Sequence, residues 1–147
     1  MMPYPKPLAE LISFFESLPE AERRENLIDL AEAARKYEPG EGETFDFTDV
    51  RKDPECTDKV GIFVRLQPDG RLHFAVTLGP QVQTLTRAMA TILCRGLSGS
   101  TAREVLEVPQ DFVPRIVGEH LVRLRSQTVY YVLSRMKEAV GKLKRED

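Results

Sequence analysis

Of the side chains that do chemistry, this chain has two cysteines and two histidines, and Cys56 is the one in an unusual setting. It stands in DPECTD, a polar connection between a short edge strand expected at 45–50 and a hairpin that follows. A structural cysteine normally lies within an apolar stripe, as a small hydrophobe. Cys94 does so, in TILCRGL beside Ile92, Leu93 and Leu97 near a helix end, and is expected in the core. Cys56 has no such neighbours, so it is either a reactive thiol or a plain loop cysteine. Asp53, Glu55 and Asp58 would raise its pKa while Arg51, Lys52 and Lys59 would lower it, and the local charges choose no winner. A redox pair of Cys56 with Cys94 is open only if the fold brings their Cα atoms within about 7 Å.

Other chemistries find less support. Cys56, Cys94, His73 and His120 form no CxxC or HxxxH spacing, so no metal is expected. His73 reads as an exposed strand residue. There is no nucleophile elbow for a serine hydrolase and no glycine-rich phosphate loop after a strand. Arg123 and Arg125 could bind an anion near the start of the last helix, although solvated surface positions explain either one.

The elements that must position Cys56 belong to one domain, 1–147, since 147 residues are enough to bury a core. Apolar residues at 41% and charged residues at 30% describe a globular protein rather than a disordered one. No run reaches the ~20 apolar residues of a membrane helix, and the N-terminus is too acidic and broken for a signal peptide. Two cysteines make no disulfide framework, so the expected compartment is the reducing cytoplasm. The net charge of −2 hides an asymmetry: residues 1–58 carry 15 acidic and 7 basic side chains, and the remainder carries the opposite excess. Opposed faces of this kind suit a partner docked by charge steering, or an acidic hairpin facing solvent. Nucleic-acid binding is not expected, because no aromatic stripe accompanies the C-terminal positive charges.

Leu8, Leu11, Ile12, Phe15 and Leu18 recur at helical spacing after Pro7, and Pro19 then starts a second helix with the stripe Leu27, Leu30, Ala31, Ala34 and Tyr37. EPGEGET (38–44) is a loop. KVGIFVRL (59–66), QPDG (67–70) and RLHFAVTL (71–78) read as a hairpin with Leu72, Phe74 and Val76 inward. From Pro80 the period becomes helical, with Val82, Leu85, Met89, Ile92 and Leu93 on one face and a stop at Ser98-Gly99. Ser100-Thr101 with Glu104 is a capping box, and Pro109, Pro114 and Gly118 bracket a short helix around Phe112 and Ile116. A long last helix is expected from about Arg123, with Val129, Val132, Leu133, Met136 and Val140 buried and a frayed charged tail at 141–147. The predicted class is α+β, an antiparallel sheet of about three strands packed against helices.

This order of features resembles the SufE family, the sulfur-accepting partners of cysteine desulfurases in iron–sulfur cluster assembly, from about Leu8 to Val140. The resemblance rests on CTDKVGIFVRL, DGRLHFAV, VQTLTRAMATILCRGLSG, TAREVLEV and the Arg125-Ser126-Gln127 triplet in HLVRLRSQTVYYVLSRMKEA. Gly61 stands where the family usually carries tryptophan, LGPQVQ replaces its Ser-Asp-Ala run, and Thr128 replaces a common glycine. The resemblance implies a SufE/NifU-like fold in which Cys56 accepts sulfur from the persulfide of a SufS-type desulfurase and passes it to an Fe–S scaffold. It implies partner-binding roles for Arg125, Thr57 and Lys59. It implies no cofactor in this chain, since pyridoxal phosphate belongs to the desulfurase, and no nucleic-acid or membrane partner. Such a protein would be an acceptor that stimulates the desulfurase rather than a stand-alone enzyme. Two alternatives are a non-catalytic desulfurase-binding adaptor of the same fold and a thiol-redox protein using Cys56 and Cys94.

Overall fold

Alternation along two strands builds the wall on which the helices pack. In the computed structural model, which describes residues 3–125 and 128–146, β2 (Val60–Leu66) and β3 (Leu72–Leu78) form the expected hairpin around Gln67–Gly70. Val60 lies opposite Leu78, Ile62 opposite Val76 and Val64 opposite Phe74, so Val60, Ile62, Val64, Leu72, Phe74 and Val76 all face the core and are buried. The edge strand β1 (Phe47–Arg51) pairs antiparallel with β2, giving the order β1-β2-β3. Register puts Phe47, Asp49 and Arg51 of β1 on the same inner face as Val64, Ile62 and Val60. That strand therefore offers the helix layer charge where its neighbours offer hydrocarbon.

The N-terminal pair folds as expected: α1 (Lys6–Glu16) and α2 (Glu20–Glu32), the latter running into a 3-10 turn at Ala33–Tyr37. Proline sits at both N-termini, Pro5 and Pro19, where its fixed φ suits helix entry. Both pack on α3 (Thr84–Leu97), ten of whose residues are buried. A helix hydrophobic nearly all round is a central helix, and its small residues show why. Gly96 lies under Leu8, whose side chain would stand 3.0 Å from any added Cβ, and Thr91 Oγ1 donates to the Leu30 carbonyl at 2.7 Å.

Three boundaries differ from expectation. α3 begins at Thr84 rather than Pro80, because residues 79–82 form a turn whose Gly79 and Val82 carbonyls accept from the Arg87 guanidinium. Val82 is buried from that turn and not from a helix. The last helix is not continuous from Arg123: α6 (Glu119–Arg125) comes first, then a 3-10 turn at Thr128–Tyr130, then α7 (Tyr131–Glu146). α7 also runs through residues 141–146, which the charged composition had assigned to a frayed tail. Between α3 and α6 lie α4 (Ala102–Glu107), opened by the Thr101–Glu104 capping box, and α5 (Val113–Val117), closed by Gly118 at φ +89°. No helix among the described residues is long and apolar enough to cross a membrane.

Candidate functional site

Cys56 sits at the crest of the connection from β1 to β2. Arg51 and Val60 are paired across the ladder, so residues 52–59 leave and re-enter the sheet at one point. The Cys56 N–H donates to the Asp53 carbonyl at 3.1 Å, and Glu55 has φ +68°. Proline at 54 followed by a positive φ is the pattern of a type II turn, whose third position normally needs glycine. A glutamate there costs of order 1–3 kcal/mol of backbone strain and persists only where the surroundings dictate the shape. Here they do.

Arg135, on α7, is the main constraint. Its guanidinium is almost wholly buried, with a side-chain exposure of 2%. It donates to the Asp53 carboxylate at 2.9 Å, the Asp49 carbonyl at 2.8 Å and the Val60 carbonyl at 2.9 Å, and pairs with the Asp49 carboxylate at 3.2 Å. One side chain thus ties both ends of the cysteine connection to the helix behind it. Arg51 adds a second bond to Asp53 at 3.3 Å and one to Glu138 at 2.8 Å. Lys142 lies over the Phe47 ring at 5.7 Å. Arg135, Glu138 and Lys142 follow at helical spacing, one row of α7 laid along the inner face of β1.

The second half of the connection is stapled to the turn before α3. Thr57 Oγ1 donates to the Gln81 carbonyl at 2.5 Å, and the Asp58 carboxylate accepts from the Lys59 and Gln81 N–H groups at 2.8 Å each. Those N–H groups hold the Asp58 carboxyl below its usual range. Gly79 allows this approach, since a Cβ there would lie 2.3 Å from the Asp58 carboxyl carbon.

Between the two anchors, the half-buried Cys56 borders a crevice lined by Val60, Val82, Thr86 and Thr128. Its volume of about 10 Å³ holds about one water-sized group. Larger cavities of about 270, 240 and 520 Å³ lie elsewhere and are lined by no thiol. Burial first and the Asp53 charge second push the Cys56 thiol above its ordinary pKa, with Arg135 and Lys52 pulling the other way and Glu55 adding to the rise. Desolvation first, and then the nearby charges of Glu55, Cys56 and Asp53, raise the phenol of Tyr131 at the start of α7.

Of the residues singled out from sequence, Cys56 and Thr57 border one crevice, but the Thr57 hydroxyl is committed to the Gln81 carbonyl. Lys59 is exposed at the foot of β2. Arg125 ends α6; its side chain, with Ser126 and Gln127, lies outside the described residues. Arg123 is exposed, 4.0 Å from Glu119 on its own helix. Cys94 is buried at 1% exposure and its thiol is pushed up to about 12 by that burial. His73 is partly covered, stacked on Phe45 and 3.5 Å from Glu43. Sequence reasoning missed Arg135 and the anchoring role of Asp53. The available signal was an arginine between Val132 and Met136, within the apolar stripe of the last helix, in a chain with two aspartates at 49 and 53.

The fold is shared with solved structures. A hypothetical protein from Thermus thermophilus, known from a solution structure, is 25% identical with a TM-score of 0.69, the match covering 95% of this chain and 96% of that one. The N-terminal part of a nitrogen-fixing NifU-like protein from Brucella abortus is similar in fold, at 13% identity and a TM-score of 0.62 over 82% of this chain and 93% of that one. Comparison with functionally curated proteins finds no match. Residues 9–140 match the SufE family, described as an Fe–S metabolism associated domain. With nearly the whole length matched, the chain belongs to the SufE family.

Proposed function

We propose that this protein accepts sulfane sulfur on Cys56 from the persulfide of a SufS-type cysteine desulfurase and hands it to an Fe–S scaffold complex. The observation that carries this is the setting of Cys56: a half-buried thiol on a strained turn, held at both ends by Arg135 and Asp58 and facing a crevice the size of one added atom. In the transfer, Cys56 Sγ as thiolate attacks the outer sulfur of the desulfurase persulfide. The S–S bond of that persulfide breaks, the desulfurase thiolate leaves, and the proton given up by Cys56 is matched by the one the leaving thiolate takes up. The reaction is an exchange and needs no oxidant, metal or cofactor in this chain.

The raised thiol suits a carrier that must not react prematurely. Free in solution, Cys56 stays protonated and slow toward oxidants, and its crevice shields an added sulfur from them. A partner that uncovers the thiol, moves it from the Asp53 carboxylate, or brings positive charge to the sulfur restores the thiolate where it is needed. Arg125 and Lys59 are the residues proposed to meet that partner, in a reducing, cytoplasmic setting. The decisive comparison is desulfurase turnover with wild type and with Cys56→Ser. The carrier reading predicts that stimulation collapses in the variant; stimulation retained would assign the protein to a non-catalytic adaptor instead.

A further inference from the structure

Away from the cysteine, a cleft of about 240 Å³ opens between the first turns of α2 and the corner where α5 meets α6. Its wall is formed by Leu27, Val117 and Leu121, and Arg23 projects along it. Arg23 is the unusual group. Its Nε is buried without a hydrogen-bond partner, as is that of Arg135, but whereas Arg135 spends its terminal nitrogens on Asp53, Asp49 and Val60, no carboxylate among the described residues comes within ion-pair distance of Arg23. That Nε is closed off by the protein itself, so an acceptor entering the cleft meets the terminal N–H groups, for which no hydrogen bond exists among the described residues.

The surrounding charges are already engaged. Glu20 faces Arg24 at 3.8 Å, Glu119 faces Arg123 at 4.0 Å, and Glu16 is held by two bonds from Arg115 at 2.9 and 3.0 Å. Glu16 feels Arg23 only at longer range. Gly118, at φ +89°, leaves the guanidinium room to lie against the chain, because a Cβ there would stand 3.3 Å from the Arg23 terminal nitrogen. A second, open cavity of about 520 Å³ shares Arg23, Gly118 and Glu119 with the first, so the site has a way in.

From these features we infer that the cleft binds a small monocarboxylate with a short apolar body, its carboxylate on Arg23 and its body against Leu27, Val117 and Leu121. A planar guanidinium matches a carboxylate through paired N–H donors. Glu20 and Arg24 on the rim pair with each other and Glu119 pairs with Arg123, so the unmatched charge in the lining is the single one on Arg23, which one carboxylate balances and phosphate exceeds. The volume falls short of the ~300 Å³ at which drug-sized sites begin, so the body is small. The site shares no lining residue with the Cys56 crevice, and the inference stands apart from the sulfur-transfer proposal.

The test uses the full chain and 4-methylpentanoate, followed through backbone amide shifts, with acetate, inorganic phosphate and sodium chloride at matched ionic strength beside it. The expected result is saturable shifts at Gly118, Glu119 and Leu121 with a Kd near 1 mM or tighter. Acetate and phosphate should each bind at least about tenfold more weakly, and Arg23→Gln should weaken 4-methylpentanoate by at least about tenfold. Arg23→Lys, which keeps charge but not the fork, should fall between. Unsaturable shifts, equal binding of acetate, tighter binding of phosphate, or an unchanged Kd in both variants would each overturn the inference.

Discussion

Replacing Arg135 with methionine keeps most of the side-chain volume and removes the guanidinium that holds the cysteine connection. Asp53, buried at 7% exposure, would lose its closest cation and keep only Arg51, which is 3.3 Å away and 43% exposed. The Asp49 and Val60 carbonyls would lose their Arg135 donors as well. Breaking a buried ion pair from one side costs about 3–5 kcal/mol. With Arg51 retained as a screened partner, the lower part of that range, about 3–4 kcal/mol, is expected. That is a large share of the ~5–15 kcal/mol that stabilises a domain. At about 4 °C per kcal/mol for a chain of this length, Tm should fall by roughly 12–16 °C. Urea unfolding of the wild type, Arg135→Met, Asp53→Asn and the double variant closes a cycle, and the coupling should exceed about 1.5 kcal/mol. A loss under about 1 kcal/mol in Arg135→Met, at unchanged denaturant slope, is what an exposed pair gives. That result would refute the clamp.

Three further predictions follow from the same geometry. In the folded protein iodoacetamide should label Cys56 and leave Cys94 untouched until unfolding; the rate–pH midpoint for Cys56 should lie above the ordinary thiol value and drop in Asp53→Asn, and equal labelling of both thiols would contradict this. Asp58, Glu43 and Glu138 are held below their usual pKa values by hydrogen bonds, so the stability they add is present above about pH 4–5 and lost as pH falls through the lowered values; urea midpoints from about pH 6 to 2 should fall, and fall less in Asp58→Asn. Gly61→Ala should cost about 1–3 kcal/mol, because the new Cβ would stand 2.2 Å from Thr77 Oγ1 and 2.9 Å from the Phe63 ring, and thermal unfolding of the variant checks it.

What could be read from the sequence was whatever a local period or a turn dictates. The hairpin 59–78 is there because alternation and QPDG agree, and the capping box at Thr101 because its partner is three residues away. Cys94 could be placed in the core from its neighbours alone. The start of α3 could not be seen, because Arg87 holds the 79–82 turn by bonding carbonyls that a helix would also use. The break before α7 was likewise hidden, since Val129 and Val132 continue an apolar spacing across it. Cys56 stood out by its polar setting, but its balance of charges could not be weighed from sequence. Asp53 and Arg135 are 82 residues apart, and only the packing of α7 on β1 brings them together. At position 61, where the resemblance led to an expected tryptophan, Val50, Phe63 and Thr77 crowd the glycine, so any side chain there would force them to shift.

The central claim is that Cys56 takes up a sulfur atom and releases it. A single-turnover experiment tests it most directly: a desulfurase loaded with persulfide and freed of cysteine is mixed with this protein, and both chains are weighed by intact-mass and peptide mass spectrometry. The account predicts that about 32 Da, one sulfur, leaves the desulfurase and appears on the peptide bearing Cys56, removable by thiol and absent in Cys56→Ser. A desulfurase that binds the protein and keeps its persulfide, or sulfur that arrives on Cys94, would contradict it.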